Sequence, residues 1–191
     1  MKTLIADNND SFTYNIVDLL DKIGYDHYEV VRTNSLQKNY LTNFDKFIIS
    51  PGPGRPSDFP MNFEIIRYCE IHNLSLLGIC LGYQTICEYY GGNLYQLDRV
   101  IHGQKSRLTI DNQSLLYKNL SDEINVGRYH SLAIDALSLP SCLRITGVTN
   151  NVKTLMSVEH IAHKIYGIQY HPESFLTSDG PIILTNFMNL I

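Results

Sequence analysis

Short apolar runs alternate with segments of helical periodicity through the first half of the chain. The apolar runs are typical of buried strands and occupy residues 3–6, 27–32, 46–50 and 74–79. The segments with apolar residues at helical spacing lie between or after them, at 12–23, 63–72 and 81–90. Strands that alternate with helices in this way predict a largely parallel sheet that is covered on both faces.

The pattern changes after Leu94. The β-like runs become shorter and are separated by turn residues, at 107–110, 143–148, 153–158 and 164–170. A last helix is predicted near 180–190. The predicted fold is therefore α/β, with an open, mostly parallel twisted sheet, helices on both faces and a small antiparallel elaboration. The length of 191 residues predicts a single domain over 1–191.

Composition and charge exclude several classes of protein. The formal net charge is −4 and no run of like charges occurs, whereas nucleic-acid binders are usually basic. No apolar stretch approaches the ~18 residues that a membrane span needs. Asp7 and Asp10 follow the first apolar run too early for a signal peptide. We expect a cytoplasmic protein that binds neither nucleic acid nor membrane.

The cysteines and histidines give no strong metal signature. Cys69, Cys87 and Cys142 carry no motif and are predicted to be reduced core residues. His160 and His163 form an H-x-x-H pair, but no third ligand is evident in the sequence. We therefore expect no bound metal.

Cys80 differs from the other cysteines because a predicted strand runs into a predicted helix at this residue. Gly78 and Gly82 flank it at two residues on either side, which is the pattern of a nucleophile elbow. The helix N-terminus favours a thiolate and offers N–H groups to an oxyanion. The alternative is a buried, inert cysteine beside two packing glycines.

A thiol nucleophile needs a base and a group that orients the base. His171 and Glu173 follow the strand predicted at 164–170, and alternate residues of an extended chain face the same side. They are the candidates for these two roles. The loop 50–54, of sequence SPGPG, follows another strand and can present backbone N–H groups to a developing oxyanion. It lacks the ending of a phosphate-binding P-loop.

Together these segments resemble the class I (triad) glutamine amidotransferases, and within them the small glutaminase subunits of anthranilate synthase and aminodeoxychorismate synthase. The resemblance covers nearly the whole chain and rests on five motifs in order. They are DN and DSFTYN at 7–15, SPGPG at 50–54, GICLGYQ at 78–84, RYHSL at 128–132 and QYHPES at 169–174.

The resemblance implies a role for each matching residue. Cys80 would attack the side-chain amide of L-glutamine, with His171 as the base and Glu173 as its orienting partner. Backbone N–H groups of the loop Gly52, Pro53, Gly54 and of Leu81 would hold the oxyanion. The residues that would hold the α-amino and α-carboxylate groups of the substrate are Gln84, Ser131 and Leu132.

The same resemblance implies a partner. Ammonia would pass to a separate chorismate-using synthase that makes anthranilate or aminodeoxychorismate, and no metal or organic cofactor would be needed for its release. The segment HGQKS at 102–106 departs from the family's usual H-G-K-x-S, since Gln104 and Lys105 stand in changed places. This departure concerns a segment expected near the synthase and leaves the triad untouched.

Three other readings remain open at this point. A related Cys–His hydrolase with another substrate would carry the same elbow, although Gln84 and the RYHSL segment favour glutamine. A flavodoxin-like binding module, or a silent regulatory protein, would share the sheet without a functioning Cys80. The sequence does not choose between the tryptophan and folate pathways.

Overall fold

The strands of the protein form one continuous nine-stranded sheet. The computed structural model describes residues 1–190, so Ile191, the last residue of the predicted domain, lies outside the described residues. The sheet order is β2-β1-β3-β4-β9-β8-β7-β5-β6. The strands are β1 Thr3–Asp7, β2 Tyr28–Arg32, β3 Lys46–Ile49, β4 Ser75–Ile79, β5 Leu94–Ile110, β6 Glu123–Ile134, β7 Leu143–Thr149, β8 Leu155–His160 and β9 Ile165–Ile168.

The five strands on one side of the sheet are parallel, and the rest pair antiparallel. Strands β2, β1, β3, β4 and β9 are neighbours in parallel register. Strands β8, β7, β5 and β6 continue the same sheet through antiparallel pairs. The predicted combination of a parallel sheet with an antiparallel extension is therefore confirmed.

Four helices cover the two faces of the parallel part. They are α1 Phe12–Lys22, α2 Pro60–His72, α3 Leu81–Tyr89 and α4 Gly180–Met188. Ile16 of α1 and Ile183 of α4 share one buried core with Ile48 of β3. Ile65 of α2 and Ile86 of α3 pack in a second core on the opposite face. These two apolar layers explain why the central strands are apolar on both faces.

The order of the strands creates a crevice at one edge of the sheet. From β1 the chain crosses to β2 on one side and then to β3 on the other, so the loops after β1 and β3 diverge at their carboxyl ends. Ligand sites of open α/β sheets lie at such switch points. The loops that follow β1, β3, β4 and β9 all meet at this edge.

Buried Lys46 ties the opposite edge of the sheet to the end of the chain. It lies at the start of β3 and is 1% exposed. Its ammonium group donates to the carbonyls of Phe187, Met188 and Leu190, at 2.9, 2.7 and 2.8 Å. Phe187 and Met188 are the last residues of α4 and Leu190 follows it, so the ammonium group lies at the C-terminal end of the helix, where a cation is favourable.

Candidate functional site

Cys80 occupies a strained turn between β4 and α3. Its φ of 52° and ψ of −98° lie outside the regions that most residues adopt. The two flanking glycines make this turn possible. A Cβ at Gly82 would lie 2.5 Å from the carbonyl oxygen of Ile49, and one at Gly78 would lie 2.5 Å from the backbone of Gly82. The predicted elbow is therefore present, and its backbone strain lies at Cys80, the residue that carries the thiol.

The turn places Cys80 at the N-terminus of α3. The backbone N–H of Cys80 donates to the carbonyl of Ile168 on β9 at 2.8 Å, which fixes the turn to the sheet. The first N–H groups of α3, beginning with that of Leu81, have no carbonyl partner within the helix. A Cβ at Gly52 would lie 2.5 Å from a methyl carbon of Leu81. The SPGPG loop and the helix N-terminus are therefore direct neighbours.

Asn8 holds the SPGPG loop in this position. It is fully buried at the end of β1. Its backbone N–H donates to Ser50 Oγ, and its side-chain Nδ2 donates to the Ser50 carbonyl, both at 2.9 Å. Its Oδ1 accepts from Thr33 Oγ1 at 3.0 Å and from Asn62 Nδ2 at 2.9 Å. Asn8 thus connects the ends of β1 and β3 across the switch point.

His171 and Glu173 form a direct pair with both side chains buried. The distance from His171 Nδ1 to Glu173 Oε1 is 2.7 Å, and the two side chains are 2% and 0% exposed. The geometry that brings them together is not the extended chain expected from the sequence. Strand β9 ends at Ile168, His171 bridges to Gly127 of β6, and the chain turns at 172–173. The expectation of an extended chain is wrong, since a turn brings the pair together.

The environment of His171 favours its protonated form. Burial on its own lowers the pKa of the imidazole, but the Glu173 carboxylate and the Cys80 sulfur outweigh burial and hold the pKa of His171 well above 6.5. His171 Nε2 is buried and makes no hydrogen bond of normal geometry within the described chain. This nitrogen is therefore the one that can hold a proton given up by the thiol.

Two aromatic rings fix the position of the imidazole. The ring of Phe12 lies 4.8 Å from that of His171, and the ring of Tyr129 lies 5.0 Å from it. The Tyr129 hydroxyl is 3.1 Å from Ser174 Oγ. The rings exclude water from one side of the Glu173–His171 pair and restrict the motion of the imidazole.

Two of the residues expected to hold the substrate are in contact with each other. Gln84 on α3 is buried, and its Nε2 lies 3.4 Å from the carbonyl oxygen of Leu132 on β6. Ser131 is the half-buried neighbour of Leu132. The structure therefore brings α3 and β6 together on the Cys80 side of the sheet. Pro53 and Gly54 lie on the exposed part of their loop.

Comparison with known proteins agrees with this geometry. The family model of the class-I glutamine amidotransferases matches residues 4–190. The chain belongs to the class-I glutamine amidotransferase family.

Relatives of this amidotransferase are named as components of one synthase. A candidate anthranilate synthase component II from Haemophilus influenzae is 40% identical over 189 residues, which cover 98% of this chain and 96% of the relative. Anthranilate synthase component 2 of Pyropia yezoensis is 39% identical over 188 residues, which cover 97% of each protein. A solved structure of a candidate GMP synthase component from Thermoplasma acidophilum has the same fold. Its TM-score is 0.86 at 23% identity, over 98% of this chain and 92% of that one.

The amidotransferase also contains a histidine cluster at the edge of the sheet opposite to Cys80. The structure adds Glu70 to the His160–His163 pair, so three possible ligands lie together. However, His160 Nδ1 accepts backbone N–H groups from Ala162 and His163, at 3.1 and 2.9 Å. The proton of a neutral imidazole then lies on Nε2, which leaves no lone pair for a metal. The expectation of no bound metal stays a prediction.

No helix between residues 1 and 190 has the length and apolar character that crossing a bilayer requires.

Cys69 and Cys87 are buried, Cys142 is half-buried, and all three are free thiols. Burial raises the pKa of Cys69 and of Cys87. Cys69 and Cys87 are therefore inert core residues, as predicted, whereas Cys142 is partly exposed and packs against the core.

Sequence reasoning named no role for three residues of the amidotransferase site. Asn8, Phe12 and Tyr129 all fall inside motifs that carry the family resemblance. Their place in those motifs was the available signal. Their contacts could not be foreseen, because each contact joins segments far apart in the chain.

Proposed function

We propose that this glutamine amidotransferase releases ammonia from L-glutamine at Cys80 and serves as the glutaminase component of an anthranilate synthase. The observation that carries the proposal is the strained Cys80 elbow, whose sulfur acts on the imidazole of the buried His171–Glu173 pair. The names of relatives at about 40% identity over nearly the full chain support anthranilate as the product.

The reaction follows from the geometry of these three residues. His171 Nε2 takes the thiol proton first, which gives a thiolate beside an imidazolium, and the Cys80 thiolate then attacks the side-chain amide carbon of glutamine. His171 then gives this proton to the departing nitrogen, so ammonia leaves and a γ-glutamyl thioester remains on Cys80. Water attacks the thioester, its proton passes through His171, and glutamate leaves with the thiol restored. Glu173 holds the imidazole in one orientation throughout.

Backbone N–H groups supply the electrostatic stabilisation of the tetrahedral intermediate. The Leu81 N–H stands at the free N-terminus of α3, and Gly52 packs against Leu81. Pro53 has no N–H, so its part in binding is limited to shaping the loop. Gly54 has a φ of +74°, which lets the loop turn at this residue. The backbone N–H of the next residue, Arg55, donates to the Asp58 carboxylate. We therefore assign the oxyanion donors to Leu81 and the glycines of the loop.

Gln84, Ser131 and Leu132 hold the amino-acid end of glutamine in this proposal. Gln84 Nε2 already donates to Leu132 and to Gln169, so its Oε1 is the remaining acceptor. An acceptor suits the substrate ammonium group. The Ser131 hydroxyl and the adjacent backbone are neutral donors for the carboxylate. This set recognises a zwitterion without a buried charge.

The surface around the site favours a protein partner. Tyr14, Val100 and Phe175 are 64%, 67% and 89% exposed. Each lies two residues along the chain from a residue in or beside the site, namely Phe12, His102 and Glu173. Exposed apolar side chains grouped near one opening mark an interaction surface. We assign this surface to a chorismate-using synthase that receives the ammonia.

A path of aromatic contacts joins this surface to the base. His102 lies in the segment that departs from the family pattern, and its ring is 5.3 Å from that of Tyr129. Tyr129 in turn packs on His171. A contact of the partner with β5 would therefore act on the triad through the ring of Tyr129.

Four free cysteines fit a reducing compartment, so we propose that the complex works in the cytoplasm.

The test is reconstitution with candidate chorismate-using synthases. The purified chain is mixed with an anthranilate-forming or an aminodeoxychorismate-forming synthase, and glutamine-dependent product is measured with ammonia as the control nitrogen source. We expect glutamine-dependent anthranilate and faster glutamine hydrolysis in the complex. Product from ammonia alone, with none from glutamine, would contradict the proposal. Glutamine-dependent aminodeoxychorismate alone would move the protein to the folate pathway.

A further inference from the structure

Gln169 is a buried side chain that touches the nucleophile and has no role in the mechanism above. It follows β9, directly before the Tyr170–His171 segment, and it is fully buried. Its side-chain Nε2 lies 3.5 Å from Cys80 Sγ, which is hydrogen-bonding distance for a sulfur acceptor. Its backbone N–H donates to Met156 on β8 at 2.8 Å. The strand therefore presents the amide of Gln169 to the thiol.

The neighbours of Gln169 determine which end of its amide faces the sulfur. A backbone carbonyl only accepts, so the Gln84 atom near the Leu132 carbonyl must be Nε2. Gln84 Nε2 also donates to Gln169 Oε1 at 3.1 Å. With its oxygen engaged there, Gln169 turns its N–H group towards Cys80. The Leu132 carbonyl therefore sets the orientation of the Gln169 amide through the side chain of Gln84.

A second chain of hydrogen bonds anchors the same carbonyl. His130 Nδ1 lies 2.8 Å from the Leu132 oxygen, and Arg128 Nε donates to His130 Nε2 at 3.0 Å. An imidazole that accepts at Nε2 carries its proton on Nδ1, so it donates to Leu132. Burial, with a smaller effect of Arg128, lowers the pKa of His130 to about 4 and keeps this ring neutral. The Leu132 carbonyl is therefore held from both sides.

We propose that Gln169 is a catalytic residue whose side-chain N–H donates a hydrogen bond to the Cys80 thiolate. This role rests on Cys80 being the nucleophile. When His171 takes the thiol proton, the sulfur becomes negative, and a hydrogen bond to a charged acceptor is stronger than one to a neutral acceptor. The bond favours the thiolate and holds the sulfur in one direction above the sheet.

The size of the effect has two opposing parts. A hydrogen bond to a charged group corresponds to about a tenfold gain in thiolate fraction. A better stabilised thiolate is a weaker nucleophile by about threefold for that gain. Loss of the bond is therefore expected to slow Cys80 about threefold at low pH and to speed it about threefold at alkaline pH, where the thiol ionises without help.

The test is alkylation of Cys80 by iodoacetamide between about pH 5.5 and 10, followed by mass spectrometry of the Cys80 peptide. Gln169→Met keeps the length of the side chain and removes the donor. Tyr170→Phe is the matched control, because Tyr170 is also buried and its hydroxyl contacts only Tyr117, at 3.0 Å, among the described residues. We expect the Gln169→Met curve to cross that of the wild type and the control curve to overlay it.

Gln169→Glu serves as a second variant if the first unfolds. It keeps the oxygen that accepts from Gln84 and removes the N–H, so slowing at neutral pH of at least the same size is expected. Equal rates at every pH, or one constant ratio across the range, would overturn the role of Gln169 alone. A wild-type Cys80 that never reacts would overturn this role and the proposed function together.

Discussion

At the scale of single residues, the proposed reaction depends on how Glu173 sets the pKa of His171. The two form a buried pair, and the pKa of His171 is held well above 6.5 despite burial, which acts in the opposite direction. A raised pKa keeps the imidazolium, and with it the acid that protonates the leaving nitrogen, up to higher pH.

Replacing Glu173 by Gln should therefore change the pH profile as well as the rate. The amide keeps the shape but removes the charge that raises the pKa of His171, so this pKa falls. We expect the alkaline limb of kcat/KM for glutamine to move to lower pH, together with a loss of rate of about 10²-fold or more. An alkaline limb at the wild-type position would mean that Glu173 does not set the protonation of His171.

Asn8 is one of the site residues whose contribution the sequence did not reveal. Its four hydrogen bonds hold the SPGPG loop next to Leu81. Asn8→Ala removes the three bonds made by its side chain and lets the oxyanion donors move, so kcat should fall about 10–100-fold with a smaller change in KM. Asn15→Ala, on the exposed side of α1, is the control and should retain activity. A larger change in KM than in kcat would instead place Asn8 in substrate binding.

The positions of the candidate site residues were predictable from sequence to different degrees. The elbow at Cys80 could be predicted because its glycine spacing is local, and the structure shows the steric reason for each glycine. His171 and Glu173 were expected to lie together, and they do. A turn after β9 brings them together, however, and not the extended chain that was expected. Asn8 bonds to Thr33, Ser50 and Asn62, which lie on three distant segments. The spacing of residues along one segment carries no information about such a network.

At the scale of secondary structure, the elbow depends on close contact between α3 and β3. A Cβ at Gly82 would meet the carbonyl oxygen of Ile49 at 2.5 Å, and neither backbone can move without shifting Cys80. Gly82→Ala should lower the free energy of unfolding by about 3 kcal/mol or more and abolish glutaminase activity.

Gly24→Ala is the matched control for this substitution. Gly24 ends the segment of α1 with a φ of +85°, and a Cβ there would meet nothing within 4 Å. The expected cost is about 1 kcal/mol from backbone strain alone, with activity retained. Urea unfolding curves of both variants measure the difference. Similar stabilities would show that α3 can move away from β3.

Strand β6 is the element that the hydrophobic pattern did not predict, and β5 is much longer than the run at 107–110. Strand β6 spans Glu123–Ile134 and carries Arg128 and His130 on buried positions. Their polarity interrupts the apolar alternation that identifies a strand. These side chains are buried because they bond to each other and to Leu132. The antiparallel pairing of β5 with β6 is non-local and mostly exposed along β5, so the local pattern is weak.

At the scale of the whole molecule, the site opens onto a surface with unpaired apolar side chains. Phe175 is 89% exposed two residues after Glu173, and its side chain has no polar group that could bond to the triad. Phe175→Ser should leave the glutaminase activity of the isolated chain unchanged. It should reduce the acceleration by the synthase about tenfold, because a large exposed aromatic is a typical interface anchor.

Ile71→Ser provides the control for the partner surface. Ile71 is 65% exposed on α2, away from the site. Titration of each variant with the synthase, read as the rate of glutamine hydrolysis, separates the two positions. Full acceleration of the Phe175 variant, or loss in the Ile71 variant, would place the partner on another face.

Covalent trapping shows directly whether Cys80 is the nucleophile towards glutamine. The wild-type chain is incubated with a glutamine-mimicking electrophile, with and without competing glutamine, and the label is located by mass spectrometry. We expect label on Cys80, protection by glutamine, and faster labelling with the synthase present. An unlabelled Cys80 under all conditions, or label that glutamine does not protect, would contradict this role of Cys80.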